Sequence, residues 1–268
     1  LKKAVENNPS LAEAYILMAK LEALPGGDRT AALEALNSAI DALKDKPVDQ
    51  SAAYIMRAQL QETNEERLED LRRAVKANST NIDAWQALIG MQLQLERYQE
   101  ALDDAKALLE KDQNNQPALL AAVEALLRLH KRQDAIELLN VRIEQNPNEA
   151  LYYRIRAAAY RDQSYAEDIS KEDKEAANKQ ALQDLNKAIE LDKRDAEALV
   201  MRGMLYYELG EVEKSNRDIT DSLLIRPDSV RGVWMRSMVA AQEGRFADAI
   251  ADMEMLVRAD PSNADWLR

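Results

Sequence analysis

The side chains able to do chemistry in this chain are almost all carboxylates. Its 268 residues include 48 Asp and Glu against 36 Lys and Arg, one His and no Cys. Acid–base or nucleophilic catalysis needs a titratable group held beside a second one in a pocket. Asp103 and Asp104 are neighbours in sequence, but in a chain this acidic adjacent carboxylates usually form a solvated face. There is no Gly-rich phosphate loop, no His pairs with a nucleophile, and a single imidazole without thiolates leaves only carboxylates for zinc. These residues point to no catalytic, cofactor-binding or metal site, and an enzyme in its own right is the last reading. His130, between Leu129 and Lys131, reads as a surface turn residue. Asn78, Ser79 and Thr80 fit a glycosylation triplet, which matters only in a secreted eukaryotic protein.

The other side chain that demands an account is the Trp in GVWMRSM, residues 232–238. Trp234 either seals a core or faces a partner. Composition says what must position it: 46% hydrophobic residues supply a core, and only 7 Gly, 7 Pro and 1 Phe beside many Ala, Leu, Glu, Lys, Gln and Arg describe a helical chain. The net charge of −12 argues against nucleic acid or an anionic membrane as partner. No stretch approaches the roughly 20 apolar residues of a membrane span, so no membrane insertion is expected. The opening LKKAVENNPS lacks the apolar core of a signal peptide and an initiator Met, so a mature or excised piece of something longer is expected. The compartment stays open, cytoplasmic by default with periplasmic or secreted as alternatives.

The elements come from self-similarity. AEAYILMA, SAAYIMRA, IDAWQALI, QPALLAAV, ALYYRIRA, AEALVMRG and VRGVWMRS align so that Tyr15, Tyr54, Trp85, Leu119, Tyr153, Leu199 and Val233 share one large slot, with Leu267 opening an eighth. Their spacings are 39, 31, 34, 34, 46, 34 and 34 residues. Downstream of each slot a second helical pattern recurs, with Ala32, Ala101, Ala135, Ala181, Ser215 and Ala249 where two helices must approach closely. A second small set, Ala39, Ala74, Ala188 and Ser222, follows, and Pro9, Pro147, Pro227 and Pro261 close units. Each unit is therefore a helix pair, and neither helix buries its apolar stripe alone, so stacking into a solenoid is the stable arrangement. Three residues after the slot stand Arg57, Arg156, Arg202 and Arg236. Asp70, Asp184, Asp218 and Asp252 stand at the matching place on the second helix, which predicts ion pairs bridging each repeat. Leu88 with Asp104 breaks the match.

ALVMRGMLYYELG and FADAIADMEMLVRADP resemble the tetratricopeptide repeat, with its large-x2-L-G-x2-Y, A-x3-F and P pattern, and the resemblance covers nearly the whole chain. It implies an all-α, right-handed superhelical solenoid of antiparallel helix pairs over residues 1–268. Residues 1–9 would be a partial second helix, and repeats would fall near 12–47, 51–79, 82–115, 116–149, 150–195, 196–229 and 230–263, with 264–268 starting a further helix. Three departures are expected: a shortened turn or helix end around QETNEER, an added turn at Gly26 and Gly27 with a longer exit near Lys46 and Pro47, and about 12 extra residues in RDQSYAEDISKEDKEAANKQ. In the last, Ser170 followed by Asp173 predicts a helix starting near Lys171. It is either a solvated extension or a hairpin that touches a partner.

In this family the first helices line a concave groove, read two before and one, five and eight after the large slot. The resemblance thus implies groove positions for Leu120, Leu127, Leu151, Arg154, Arg161 and Val200, and for Met204, Tyr207, Arg231, Trp234 and Met238. From Leu151 onward the charged members are Arg154, Arg161 and Arg231 against Glu197. Earlier, Lys20 stands against Glu13, Glu62, Asp83 and Glu124, so the groove changes sign along its length. Trp234 lies one place beyond the core slot; the alternative register would put Met238 in the small slot of Ser237 and break the Arg236–Asp252 match. No groove place carries the Asn that chaperone-binding members use to grip a C-terminal carboxylate. The expected function is a non-enzymatic scaffold binding an extended or helical protein segment. A targeting or substrate-recruiting arm of a larger protein and self-association into a homo-oligomer are the alternatives.

Overall fold

A computed structural model describes residues 1–167 and 169–260, and among them it contains fifteen α-helices and no strand. Two compact units divide the chain, one of residues Leu1–His130 and one from Lys131 onward. The first unit holds α1 (Lys2–Asn7), α2 (Ala12–Glu22), α3 (Arg29–Ala42), α4 (Pro47–Leu60), α5 (Asn64–Ala77), α6 (Ile82–Gln94), α7 (Tyr98–Lys111) and α8 (Gln116–Arg128). The second holds α9 (Arg132–Gln145), α10 (Ala150–Ser164), α11 (Lys171–Leu191), α12 (Ala196–Glu208), α13 (Val212–Ile225), α14 (Val230–Gln242) and α15 (Phe246–Ala259). The eighth slot at Leu267 and the helix start read at 264–268 lie outside the described residues, as does Pro261.

Local chemistry sets the helix ends. Asn81, Asn115, Asp195 and Ser229 cap α6, α8, α12 and α14, each side chain accepting the backbone N–H three residues on, which satisfies a donor the helix cannot. Thr63 and Glu66 form a reciprocal capping box on α5. At the other end, α6, α12 and α14 close alike. The N–H of Arg97 donates to Gln92 O, that of Glu211 to Tyr206 O and that of Arg245 to Ala240 O, each at 2.8 Å. This closure puts one residue in the left-handed region, and Gly210 and Gly244 take it at φ +78° and +77°. Glu96 and His130 occupy the same place at φ 58°, so His130 is an exposed turn residue, as its position predicted.

Packing follows the small residues. Ala32, Ala101, Ala135, Ala181 and Ser215 are fully buried, as are Ala39, Ala74, Ala188 and Ser222. Gly203 serves the same approach: a Cβ there would lie 2.9 Å from Ile219 Cδ1. Large partners such as Leu36, Leu68, Leu102, Leu139, Leu185 and Leu205 then fill the space at 0–2% exposure.

All four predicted Arg–Asp pairs form as two-pronged bridges from Arg57, Arg156, Arg202 and Arg236 to Asp70, Asp184, Asp218 and Asp252, at 2.5–2.9 Å. The Asp hydrogen bonds hold each guanidinium pKa above its ordinary value. The exception resolves locally: Asp104 accepts from the buried Gln92 Nε2 at 2.7 Å, one turn beyond Leu88. Burial pushes the Asp104 carboxyl above its ordinary value, against the pull of the Gln92 hydrogen bond and of Arg72 and with the repulsion of Glu100 and Asp103.

The departures from the period are helical. α4 starts at Pro47, in the first-turn position where proline is tolerated, so the long exit is an added helical turn rather than a loop. α4 also ends at Leu60, six residues after Tyr54, whereas α6 runs nine past Trp85 to Gln94, so the three missing residues come off a helix end. α11 begins at Lys171 with Ser170 Oγ accepting from Asp173 N at 3.0 Å, and it runs 21 residues where α13 and α15 have 14.

Two outcomes are expected from these sites. Glu96→Gly removes a left-handed non-glycine residue and raises stability by about 0.5–1 kcal/mol, read in a denaturant titration. Asp104 carries a raised folded-state pKa, so its charge opposes folding at neutral pH and the penalty disappears as the folded state takes up a proton. Asp104→Asn therefore raises the unfolding midpoint at pH 7, and the gain fades as pH falls towards the ordinary value of 3.8.

Candidate functional site

The register that builds the core decides where Trp234 points. Val233 fills the large slot at 1% exposure, Ser237 fills the small slot at 3% and donates its hydroxyl to Trp234 O at 2.7 Å, and Arg236 meets Asp252. Trp234 is left one position round the helix, partly exposed. It packs beside Met204, Tyr207 and Met253 on the edge of a core formed by Val200, Ile219, Leu223, Val233, Met235 and Leu256. Trp85, which does occupy the large slot, shows the alternative. It is buried, and its Nε1–H donates to Ser79 O at 3.0 Å. Tyr153 in the same slot likewise donates to Pro147 O at 3.0 Å.

Beside Trp234 lies a cleft of about 650 Å3. Glu197 and Met204 of α12 form one wall, Val230, Arg231 and Trp234 of α14 the other, and Arg226, Asp228 and Ser229 of the α13–α14 link close one end. That volume is in the range of pockets that enclose ligand-sized groups. The apolar surface comes from Trp234, Met204 and Val230, the last 48% exposed at the first position of α14.

Of the residues read as groove-lining, Met204, Arg231 and Trp234 meet in this cleft. Tyr207 and Met204 pack on the same core edge, and Met238 is partly buried one turn beyond Trp234. Leu151, Arg154 and Arg161 lie on α10, partly buried. Leu120, 43% exposed, and Leu127, partly buried, lie on α8 in the other unit. Val200 must be removed from the set. It is fully buried because its short branched side chain lies in the core cluster with Ile219 and Leu223 of α13 and Val233 of α14.

The positive balance expected from Leu151 onward also needs correction. Arg154 Nε donates to Asp195 at 2.8 Å, Arg161 Nη2 to Glu208 at 2.7 Å, and Arg231 pairs with Glu197. Asp195 is the cap of α12 and Glu208 its last residue, so neither falls on a groove place counted from the slot. The arginines tie one first helix to the next and present no free positive face. Arg226, Asp228, Ser229 and Val230 were missed because the groove reading starts two residues before the large slot, and all four lie earlier than that. An apolar residue opening α14 immediately after the Ser229 cap was their one visible signal.

The two indoles should separate in mutants. Trp85→Ala costs about 3–5 kcal/mol of stability. Partial packing makes Trp234→Ala cost about 1–2 kcal/mol, more than the near-zero effect of a fully exposed residue and clearly less than a core Trp. Paired denaturant titrations measure both.

Comparison with known proteins places this geometry. Family models of the tetratricopeptide repeat match residues 92–159 and 217–264. No curated protein sequence matches the chain. Among solved structures, a tetratricopeptide repeat protein from Parabacteroides merdae is 16% identical, with 95% of each chain covered and a TM-score of 0.66. A thermophilic TPR protein of Thermus thermophilus is 23% identical over 69% of this chain and 94% of its own, with a TM-score of 0.59. The Pseudomonas aeruginosa pilF protein is 15% identical over 85% of this chain and 96% of its own, at 0.56. At such identities the likeness is one of fold. With the repeated large slots, the small residues between paired helices and the two family-model matches, the chain is a tetratricopeptide-repeat protein.

Proposed function

We propose that the protein is a non-enzymatic scaffold that binds an extended or helical segment of a protein partner, anchored in the cleft between α12 and α14. The fold suggests an interaction scaffold, and such repeats are generally non-enzymatic. The observation that carries the finer reading is Trp234, a large apolar side chain the fold can bury at the core slot but leaves partly open in a cleft. Burying the rest of its ring, about a third or less of some 200 Å2, at about 25 cal/mol per Å2 contributes up to about 2 kcal/mol before ordering costs, which is the scale of an interface anchor.

Charge refines the partner. Arg154, Arg161 and Arg231 each already hold a carboxylate, and Glu197 and Asp228 offset Arg231 and Arg226 at the cleft. A segment led by an aromatic or long aliphatic side chain fits this surface better than an acidic one. No helix among the described residues is long and apolar enough to cross a membrane.

A random peptide library selected on the intact protein tests the reading. The enriched sequences should share an aromatic or aliphatic anchor, lose about 30-fold or more in affinity on Trp234→Ala, and change little between low and moderate salt. Enriched peptides that bind wild type and Trp234→Ala equally would refute the site.

A further inference from the structure

Three glycines lie inside helices of the described chain, and packing accounts for two of them. A Cβ on Gly203 would lie 2.9 Å from Ile219 Cδ1, and one on Gly232 would lie 2.9 Å from Leu223 Cδ2. Gly90, well inside α6, is exposed, and a Cβ there would meet nothing within 4 Å. A glycine in a helix interior is destabilising relative to alanine, and packing within the chain does not explain this one. The matching places in the other first helices hold Lys20, Gln59, Glu124, Ala158, Met204 and Met238.

Asp83, Gln86, Gly90 and Leu93 follow one another along one face of α6. α6 touches both α4 and α8, and the same positions on those helices carry Ile55 and Gln59, and Leu120, Glu124 and Leu127. Leu120 is 43% exposed, and Ile55, Leu93 and Leu127 are partly so. Asp83 and Glu124 are exposed, and among the described residues neither forms an ion pair. Asp83, in the first turn of α6, also favours the start of its helix, but Glu124, in the middle of α8, has no such role. Glu62, just beyond α4, is 78% exposed and meets Arg29 at 3.3 Å. No Lys or Arg stands at these positions on α4, α6 or α8.

We infer that this face of the first unit is a second docking site, and that its occupant is a basic segment of a protein partner whose backbone crosses α6 at Gly90. The absent side chain lets a crossing backbone come close to the helix. Aliphatic side chains of the segment would rest on Ile55, Leu93 and Leu120, and its Lys or Arg side chains would meet Asp83 and Glu124. Carboxylates without cations set the sign here. In the second unit Arg154, Arg161 and Arg231 already hold carboxylates, and no such imbalance exists along them. The site lies wholly within residues Leu1–His130 and does not rest on the reading of the Trp234 cleft.

The test is the binding of a labelled lysine–leucine peptide, patterned as an amphipathic helix, to the whole chain at moderate salt, with a glutamate–leucine peptide as control. The basic peptide should bind and the acidic one should not. Gly90→Leu changes no charge and has room for its side chain, so it should keep its helical content and weaken binding by about tenfold or more, the scale of a lost interface contact. Gly90→Ala should raise the unfolding midpoint; a fall would show that the fold itself needs this glycine and would overturn the inference. Asp83→Asn with Glu124→Gln should weaken binding by a similar factor. Glu144→Gln with Glu213→Gln, the same change of charge on α9 and α13, should not. No binding of the basic peptide, equal binding to Gly90→Leu, or equal loss with both acid pairs overturns the inference. Trp234→Ala should leave this binding unchanged. A basic peptide released by Trp234→Ala belongs to the other cleft and sinks this site, whereas failure of the Trp234 reading leaves it standing.

Discussion

The close approach of two helices at small side chains is the constraint on which the rest depends. At Ala101, Ala181 or Ser215 the second helix can come near the first only because nothing larger than a methyl or hydroxymethyl group intervenes. That contact fixes the rotation of each helix. Rotation then decides that Val233 and Ser237 face inward, that Arg236 meets Asp252, and that Trp234 does not enter the core. The same constraint explains why ion pairs can stand inside the repeat: Asp70, Asp184 and Asp218 are nearly buried but each receives two guanidinium hydrogen bonds, which offsets the loss of water.

Polar groups add connectivity to this apolar frame. Arg57, Arg156 and Arg202 run across three helices, whereas Arg154, Arg161 and Arg231 tie successive first helices through carboxylates on α12. In a repeat protein stability is roughly a sum of repeat and interface contributions, so each of these links adds to the interface it crosses. The cleft at Trp234 lies beside an apolar surface rich in Met, whose flexible side chains suit adaptable recognition.

The fold was legible because the same pattern is written seven times. Large slots, small slots and the Arg–Asp match reinforce one another, and even the Lys171 start of α11 was signalled by its Ser170 cap. The site was legible only in outline. A register gives direction, and Met204, Arg231 and Trp234, picked from it together, line one cleft. It gives neither how deep a short side chain sinks, which buried Val200, nor which carboxylates reach in from a cap or a helix end, as Asp195 and Glu208 do. The hydrogen bonds from Arg57, Arg156 and Arg202 to Asn37, Asn140 and Asn186 went unread because each Asn belongs to the preceding repeat, beyond the pair in which the Arg–Asp match was sought.

The central claim is that Trp85 and Trp234 occupy different environments, one inside a repeat and one at an open cleft. Single-tryptophan proteins decide it most directly. With Trp234 as the sole indole, Trp85 and Trp266 being replaced by Phe, a neutral collisional quencher should reach the fluorophore several times faster than in the protein that keeps only Trp85. Equal and low quenching of the two would mean that Trp234 is sealed in its repeat, and the proposed docking surface would be gone.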